Sequence, residues 1–295
     1  MADSKVGIVT GAASGMGRAL AEHFAAKGWR LALLDVNDTV GQELATKLGP
    51  NTFFVHCDVA DYASQAAAFT AVWQRWGRLD ALLANAGIVE RSSVYILRHR
   101  GRPVDDVPPA PDLACTDIDW KGVLYGVQLA IHFMRHNAHR PGGPGGKIVV
   151  TASNAGLHPH PTYPEYNGAK AAVVQFVRGA AGVLQSKEHI LLNCVCPGIV
   201  ATDIVPPEMV AAVHADALTP LVTIVRAYAS CLDDDGVYGA RGGVVLECSG
   251  TQISDFEHAR LTFKNGVPSA RSVVVWEPLF AQIHGEASGL PGAIP

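Results

Sequence analysis

The chain has 295 residues, of which 48% are hydrophobic and 17% charged, and its formal net charge is −4. This balance excludes a disordered chain and supports a sizeable core. The net charge, together with our reading that the chain has no basic block, makes nucleic acid and anionic membranes poor candidate partners. No run reaches the roughly 18 apolar residues of a membrane span, and the N-terminus lacks the apolar region of a signal peptide. We therefore expect a cytoplasmic protein without a membrane span.

Short β-rich runs alternate with helical patterns along the chain. The predicted strands cover residues 5–10, 30–35, 52–57, 79–85, 147–151, 189–196 and 243–247. The predicted helices include residues 16–27, 38–48, 61–76 and about 166–186. This alternation predicts βαβ units, and therefore an α/β fold with a doubly wound, mostly parallel sheet and helices on both faces.

A glycine-rich turn follows the first predicted strand and precedes the first predicted helix. It contains Gly11, Ser14, Gly15, Met16 and Gly17. Glycines let the backbone approach a pyrophosphate, and a helix N-terminus offers free N–H groups and the positive end of the helix dipole. An ordinary turn is the alternative, but the position at a strand-to-helix junction favours dinucleotide binding.

Asp35 ends the second predicted strand, close to the spacing of about 20 residues expected for a ribose-binding carboxylate. A carboxylate there accepts hydrogen bonds from a ribose 2′-hydroxyl and repels a 2′-phosphate. No arginine or lysine occupies residues 12–14 or directly follows Asp35. The pattern therefore favours NAD over NADP. The alternative is that Asp35 caps a helix, but Asn37 or Asp38 can serve that role instead.

Tyr166 and Lys170 lie four residues apart at the start of a predicted helix, so they share one helix face. An ammonium beside the phenol stabilises the phenolate, and such a tyrosine can exchange a proton with an alcohol or ketone. Ser153 follows the strand before this helix, and its hydroxyl can stabilise charge on a substrate oxygen. This tyrosine–lysine spacing is common on surface helices. It therefore indicates a catalytic role only in combination with the glycine turn.

Together these motifs resemble the short-chain dehydrogenase/reductase family over about residues 5–250, and most closely its NAD-dependent 15-hydroxyprostaglandin dehydrogenase-like group. The resembling motifs are the glycine turn, Asp58-Val59, Asn85-Ala86-Gly87, Ser153, Tyr166 with Lys170, and Pro197-Gly198 with Thr202. The resemblance implies an enzyme that transfers a hydride between nicotinamide and a secondary alcohol or ketone. It implies a single Rossmann-like domain over residues 1–250, with about seven strands in the order 3-2-1-4-5-6-7.

The resemblance also implies how the cofactor is held. Asp58 would bind the adenine amino group and Val59 would pack near its ring. Asn85, Ala86 and Gly87 would support the strand beside the adenosine ribose. The remaining implied contacts are Lys170 with the nicotinamide ribose and, near the carboxamide, Pro197, Gly198, Ile199 and Thr202. The alternatives are structural: Asp58 as a cap, Asn85–Gly87 as a turn, and Pro197-Gly198 as a strand exit.

Asp119 departs from the family pattern, which has asparagine at this position. In the family the asparagine is implied to hold a water that links the lysine to solvent. An ionised aspartate only accepts hydrogen bonds, although it would pair electrostatically with Lys170. The change puts the proton relay in doubt rather than cofactor binding, so we count Asp119 among the candidate catalytic residues.

Residues 203–232 are apolar on one side, and the resemblance makes them a mobile lid over a hydrophobic alcohol or ketone. The alternative is an amphipathic helix packed on the core, and both can hold. His158 and His160 are candidates for the substrate entrance, and the alternative is that they are solvent-exposed loop residues. The predicted helices near residues 116–137 and 163–186 resemble the family's dimer-forming pair, which implies a homodimer or homotetramer.

Three further questions stay open from the sequence. The direction of the reaction is open, because a reductase that works from ketone to alcohol uses the same residues. A different kind of function is also open, namely a non-catalytic NAD-binding regulator or scaffold. No metal site is predicted, because His132, His136 and His139 lack the intervening glutamate of zinc proteases. The role of residues 251–295 is not predicted.

Overall fold

A computed structural model, which describes residues 4–137, 145–205, 207–257 and 273–290, contains one eight-stranded sheet. The strands are β1 Val6–Thr10, β2 Arg30–Asp35, β3 Thr52–His56, β4 Ala81–Ala84, β5 Gly146–Thr151, β6 Ile190–Pro197, β7 Val245–Ser249 and β8 Gln252–Asp255. Their order is β3-β2-β1-β4-β5-β6-β7-β8, and β1 to β7 are parallel. The predicted order of the first seven strands is confirmed.

The eighth strand was not predicted. It pairs antiparallel with β7 across the two-residue turn Gly250-Thr251, in which Gly250 has a φ of 55°. A glycine in this left-handed conformation is typical of a tight hairpin. β8 has only four residues and none is fully buried, so its hydrophobic pattern is weak. The sheet thus continues past residue 250, beyond the expected end of the Rossmann-like domain.

Nine α-helices lie within the described ranges. They are α1 Gly15–Ala26, α2 Asp38–Leu48, α3 Tyr62–Trp76, α4 Ala114–Thr116, α5 Gly122–Met134, α6 Pro164–Glu188, α7 Pro207–Ala212, α8 Leu221–Leu232 and α9 Val273–His284. A π-helical turn, Asp117–Lys121, joins α4 to α5. Asn37 caps α2 by accepting the Val40 N–H at 3.2 Å, as predicted, which leaves Asp35 outside the cap.

Helices cover both faces of the sheet, as predicted. On one face, Phe69 of α3, Val127 of α5 and Val177 of α6 share a buried cluster with Ile148 of β5. On the other face, Phe24 of α1 and Tyr228 of α8 belong to a second cluster with the next residue of β5, Val149. Burying each such side chain contributes about 1.5–3 kcal/mol, so the double cover explains why the strands are continuous apolar runs.

The predicted lid, residues 203–232, divides into two parts. Its C-terminal part is α8, which buries Ile224, Tyr228 and Leu232 and packs against α1. That half is a core helix, which is the alternative the sequence left open. Its N-terminal part contains α7, in which no residue is buried.

The six cysteines are free thiols and all are buried, where a reduced cysteine packs as a small apolar residue. The Sγ atoms of Cys194 and Cys196 lie 3.7 Å apart on one face of β6. Within the described ranges, no helix combines the length and apolarity needed to cross a bilayer.

Candidate active site

The glycine turn closes the junction between β1 and α1. Gly11 and Gly15 have φ values of 63° and 48°, which side chains rarely adopt. A Cβ on Gly17 would lie 2.0 Å from the Gly11 carbonyl oxygen, and one on Gly15 would lie 3.0 Å from Cγ2 of Thr202. The turn therefore requires glycine at these positions. Because the Ser14 side chain makes no cap hydrogen bond, the first amides of α1 are available to an anion.

Asp35 lies at the C-terminal end of β2, beside this turn. Its carboxylate accepts the N–H of Ala13 at 2.9 Å and the N–H of Asn37 at 3.0 Å. These contacts fix the carboxylate next to the turn while the side chain stays partly exposed.

One cavity of about 580 Å³ runs along the C-terminal edge of the sheet. It is lined by all but two of the predicted site residues: Gly11, Ser14, Gly15, Met16, Asp35, Asp58, Val59, Asn85, Ala86, Gly87, Ser153, Tyr166, Lys170, Pro197, Gly198, Ile199 and Thr202. The exceptions are Gly17, which supports the turn, and Asp119, which lies behind Lys170. The cradle of glycines, the carboxylate and the cavity volume fit a dinucleotide.

Asp58 and Val59 lie where β3 gives way to α3. Asp58 accepts the Ala60 N–H at 2.9 Å, but the cap of α3 is Asp61, which accepts the Ala63 N–H at 2.9 Å. Asp58 is therefore not the helix cap that the sequence left as an alternative.

Asn85 joins three strands at the floor of the cavity. The backbone N–H groups of Asn85 and Ala86 donate to Thr10 Oγ1 at 2.9 and 3.0 Å. The Asn85 amide donates to the Thr10 carbonyl at 3.2 Å and accepts the Thr151 hydroxyl at 3.2 Å. Thr10 and Thr151 thus hold the ends of β1, β4 and β5 together, although neither was among the predicted site residues.

Ser153, Tyr166 and Lys170 face the same cavity. Ser153 follows β5, and its Oγ accepts the Ala155 N–H at 3.1 Å, which leaves the hydroxyl proton free to donate. Tyr166 and Lys170 lie on the first turns of α6, and Lys170 Nζ is 5.6 Å from the centre of the Tyr166 ring. The predicted shared helix face is confirmed.

Lys170 is buried and makes two polar contacts at its ammonium. Nζ donates to the Thr151 carbonyl at 3.0 Å and lies 3.0 Å from Asp119 Oδ2. Burial opposes the charge, but Asp119 and the Tyr166 phenol outweigh it and hold the pKa of Lys170 above its usual range. The predicted pairing of Asp119 with Lys170 is confirmed.

Asp119 lies in the π-helical turn and is fully buried. Its Oδ1 accepts the Ile88 N–H at 2.8 Å. Burial raises the pKa of Asp119, and the Lys170 ammonium opposes this shift. A Cβ on Gly87 would lie 3.1 Å from Asp119 Oδ2 and 3.2 Å from Lys170 Nζ, so the ion pair packs directly on this glycine.

Glu90 was missed by sequence reasoning. Its Oε2 accepts the backbone N–H groups of Glu165 at 2.7 Å and of Tyr166 at 3.1 Å, at the first turn of α6. Glu165 in turn accepts both the N–H and the hydroxyl of Thr116 at 2.9 Å. Two carboxylates therefore anchor the start of the helix that carries Tyr166. No local pattern could reveal this, because Glu90 is distant in sequence from the helix it binds.

The other half of the cavity is mainly apolar. Its lining includes His158, His160, Tyr163, Ile199, Ile204, Val205, Met209 and Val213. Both histidines proposed for the substrate entrance line it. The Tyr163 hydroxyl donates to Met209 Sδ at 3.3 Å, which links the start of α6 to α7 across the cavity.

Within the described ranges, no group of three histidine, cysteine, aspartate or glutamate side chains could hold a metal ion. The rings of His132 and His136 lie 5.2 Å apart. His139 is outside the described residues.

The model of the family described as "short chain dehydrogenase" matches residues 5–210 of this chain. The chain belongs to the short-chain dehydrogenase/reductase family. It is therefore an oxidoreductase of that family, whose members use NAD or NADP. The resemblance stated from the motifs is confirmed.

Two other members of the family are similar to this chain over most of its length. The short-chain dehydrogenase/reductase prx6 of Penicillium rubens is 47% identical over 99% of this chain and 98% of its own length. The human 15-hydroxyprostaglandin dehydrogenase [NAD(+)] is 33% identical over 68% of this chain and 70% of its own length. The predicted subgroup is thus among the relatives, but prx6 is more similar.

Solved structures of two reductases share the fold. A 3-ketoacyl-(acyl-carrier-protein) reductase from Brucella melitensis, complexed with NADH, has a TM-score of 0.71 at 22% identity and covers 85% of this chain and 98% of its own. A levodione reductase has a TM-score of 0.70 at 25% identity and covers 83% and 96%.

Proposed function

We propose that this short-chain dehydrogenase uses NAD(H) to interconvert a secondary alcohol and a ketone of a hydrophobic small molecule. The observation that carries the proposal is the single cavity that the glycine turn, Asp35, Ser153, Tyr166 and Lys170 all line. A dinucleotide site and an acid/base group at one cavity are what hydride transfer with proton exchange requires.

The choice of NAD over NADP rests on Asp35. Its carboxylate lies beside the turn, where it would accept a ribose hydroxyl and repel a 2′-phosphate. The neighbouring Val36 and Asn37 bring no cation to neutralise a phosphate. The human relative whose name specifies NAD(+) is consistent with this choice.

Different residues of the chain would hold different parts of the cofactor. The amides at the start of α1 would hold the pyrophosphate, and Asp35 the adenosine ribose. Asp58 and Val59 would hold the adenine. Lys170 would hold the nicotinamide ribose, and the strand exit with Pro197, Gly198, Ile199 and Thr202 would hold the carboxamide. When bound, NAD accepts the hydride from an alcohol carbon, and NADH returns it to a ketone.

Proton exchange falls to Tyr166. In the oxidative direction its phenolate oxygen takes the alcohol proton, and in the reductive direction the phenol returns a proton to the ketone oxygen. Lys170 stabilises the phenolate because its own charge is maintained by Asp119 and the Thr151 carbonyl. The free hydroxyl proton of Ser153 donates to the substrate oxygen and stabilises the charge that develops there.

The apolar half of the cavity indicates the substrate class. Ile204, Val205, Met209 and Val213, on the segment of residues 203–213, offer mainly aliphatic surface. Burying apolar substrate surface against them contributes about 25 cal/mol per Å². This favours a hydrophobic alcohol or ketone, with α7 and its flanking residues as the lid.

We further propose a homodimer or homotetramer assembled through α5 and α6. The predicted pair, residues 116–137 and 163–186, corresponds to α5 with the π-helical turn before it and to α6. Light scattering coupled to size exclusion tests this, and a monomer at micromolar concentration would overturn it.

The test of the proposed function is a screen of hydrophobic secondary alcohols with NAD or NADP at alkaline pH. Formation of the reduced cofactor is followed by its absorbance. We expect turnover with NAD and at least tenfold lower kcat/KM with NADP. The proposal fails if kcat/KM is higher with NADP than with NAD. It also fails if NAD and NADP both bind but neither is reduced in the presence of any alcohol of the screen.

A further inference from the structure

Residues 91–104 form a cationic and apolar segment on the surface. This segment, called here the 91–104 segment, contains four arginines, one histidine and five large apolar side chains, and no aspartate or glutamate. The formal net charge of −4 for the whole chain does not show this local positive charge. Glu90 precedes the segment and Asp105 and Asp106 follow it, so the positive charge is confined to residues 91–104.

The apolar side chains of the segment are open to solvent. Val94, Tyr95, Ile96 and Leu97 are each about half exposed, and Val104 is 100% exposed. A run of four neighbouring large apolar residues at this exposure costs free energy in water, and contiguous patches of this kind mark interaction sites.

The arginines of the segment are available for binding an anion. Arg102 lies 3.6 Å from Asp106, with both side chains largely exposed. Across the described part of the chain, Arg91, Arg98 and Arg100 form no ion pair, and all three are exposed. Three exposed cations next to an exposed apolar run make an amphipathic surface.

The segment is anchored to the rim of the substrate half of the cavity. The Tyr95 hydroxyl donates to the Pro161 carbonyl at 2.9 Å, and Pro161 follows His160, which lines the cavity. At its base, Ser92 Oγ accepts the Asp112 N–H at 2.9 Å and donates to the Asp112 carbonyl at 3.2 Å. The apolar run is thus held beside the entrance rather than hanging free.

We infer that the 91–104 segment docks this enzyme on an anionic membrane surface. Val94, Tyr95, Ile96 and Leu97 enter the headgroup region, and the arginines bind lipid phosphates. This combination of exposed apolar and cationic side chains is the recognition chemistry of interfacial segments. The docked orientation brings the cavity rim to the membrane.

A second copy of the chain fits the surface less well. A symmetric contact between two such segments would bring their arginines together, and like charges repel across an interface. A bilayer containing anionic lipid supplies both the missing negative charge and the apolar environment. The docking inference does not depend on the proposed function. Only a further step, in which a hydrophobic substrate passes from the membrane to the cavity, rests on the proposed function.

The test is co-sedimentation of the full chain with vesicles of phosphatidylcholine alone or mixed with phosphatidylserine. Two variants probe the surface: Arg98→Glu/Arg100→Glu for charge, and Ile96→Ser/Leu97→Ser for apolar contact. Matched controls are Lys47→Glu/Arg226→Glu, with the same change in net charge on α2 and α8, and Val237→Ser, an exposed valine elsewhere. Circular dichroism and NAD affinity check that each variant is folded.

We expect the wild type to bind the phosphatidylserine vesicles, less so at high salt, and to bind phosphatidylcholine weakly. Each segment variant should lose about tenfold or more in partition coefficient, while both controls keep it. Equal binding of variants and controls, or no binding at low salt, would overturn the inference. So would variants that change the oligomeric state without changing vesicle binding. Vesicle binding is measured without substrate, so failure of docking and failure of the proposed activity are distinguishable.

Discussion

The Glu90 carboxylate accepts the backbone N–H of Tyr166 at 3.1 Å, so a residue on the loop after β4 holds the first turn of α6. The same oxygen accepts the Glu165 N–H at 2.7 Å. A carboxylate at this place satisfies helix amides that otherwise lack partners and interacts favourably with the helix dipole. Glu90 is thus a positioning residue for Tyr166.

Glu90→Ala should lower kcat about tenfold, because small displacements of a catalytic group are costly, and should lower stability by about 1 kcal/mol. Glu90→Gln keeps an acceptor oxygen and should retain kcat within about threefold. Steady-state kinetics and urea unfolding of the three proteins measure both effects. If alanine and glutamine behaved alike, the hydrogen bonds would not be the cause.

Asp119→Asn should keep or raise kcat, because the asparagine can still accept the Ile88 N–H and Lys170 keeps the Thr151 carbonyl. The folded protein should lose about 3 kcal/mol of stability, since a buried ammonium loses its counter-charge. Asp117→Asn is the matched control, because its pair with Lys121 is exposed to solvent and contributes little to stability. A hundredfold loss of kcat would show that the aspartate itself is required.

Asp35→Ala should weaken NAD binding about tenfold and strengthen NADP binding, because it removes both an acceptor for the ribose and the charge that repels a 2′-phosphate. Asp38→Ala is the control, since Asp38 lies nearby at the start of α2 and pairs with His56 instead. Calorimetric titration with each cofactor measures the effect. Unchanged NADP affinity in Asp35→Ala would argue against this role for the carboxylate.

Asp234 makes stability depend on acid pH. It lies 2.8 Å from Lys5 Nζ and 3.0 Å from Lys147 Nζ. Burial alone would raise its pKa, but the two lysines lower the pKa of Asp234 from 3.8 to about 2. Because the folded pKa lies below the unfolded one, the stabilisation is present above about pH 4 and is lost as pH falls towards about 2.

Since the Asp234 side chain is 72% exposed, the effect is modest. Asp234→Asn should be less stable than the wild type by about 1 kcal/mol at neutral pH, and the difference should shrink below about pH 4. Urea unfolding at several pH values measures it. A difference that grew as the pH fell would contradict the assignment.

Much of the fold was predictable because its strands are buried on both faces and so form continuous apolar runs. β2 and α2 have the predicted bounds, and most other elements differ by one or two residues. β8 was missed because four partly exposed residues give no hydrophobic pattern. The role of α8 was open because an amphipathic helix has the same pattern on a core as in a lid.

The site was predictable where function fixes residue types at short spacing, as in the glycine turn and the tyrosine–lysine pair. Contacts between distant segments were not. Glu90, Thr10 and Thr151 act through hydrogen bonds that only the fold brings together. The 91–104 segment was not singled out for another reason, because net charge is a property of the whole chain and surface charge is local.

The most direct test of the proposed chemistry is Tyr166→Phe, which removes one hydroxyl and leaves the ring. With NAD and an alcohol that the wild type oxidises, the variant should lose at least a thousandfold in kcat while its NAD affinity stays within about threefold. That result would assign the acid/base role to the phenol. A variant that oxidised the alcohol as fast as the wild type would contradict it.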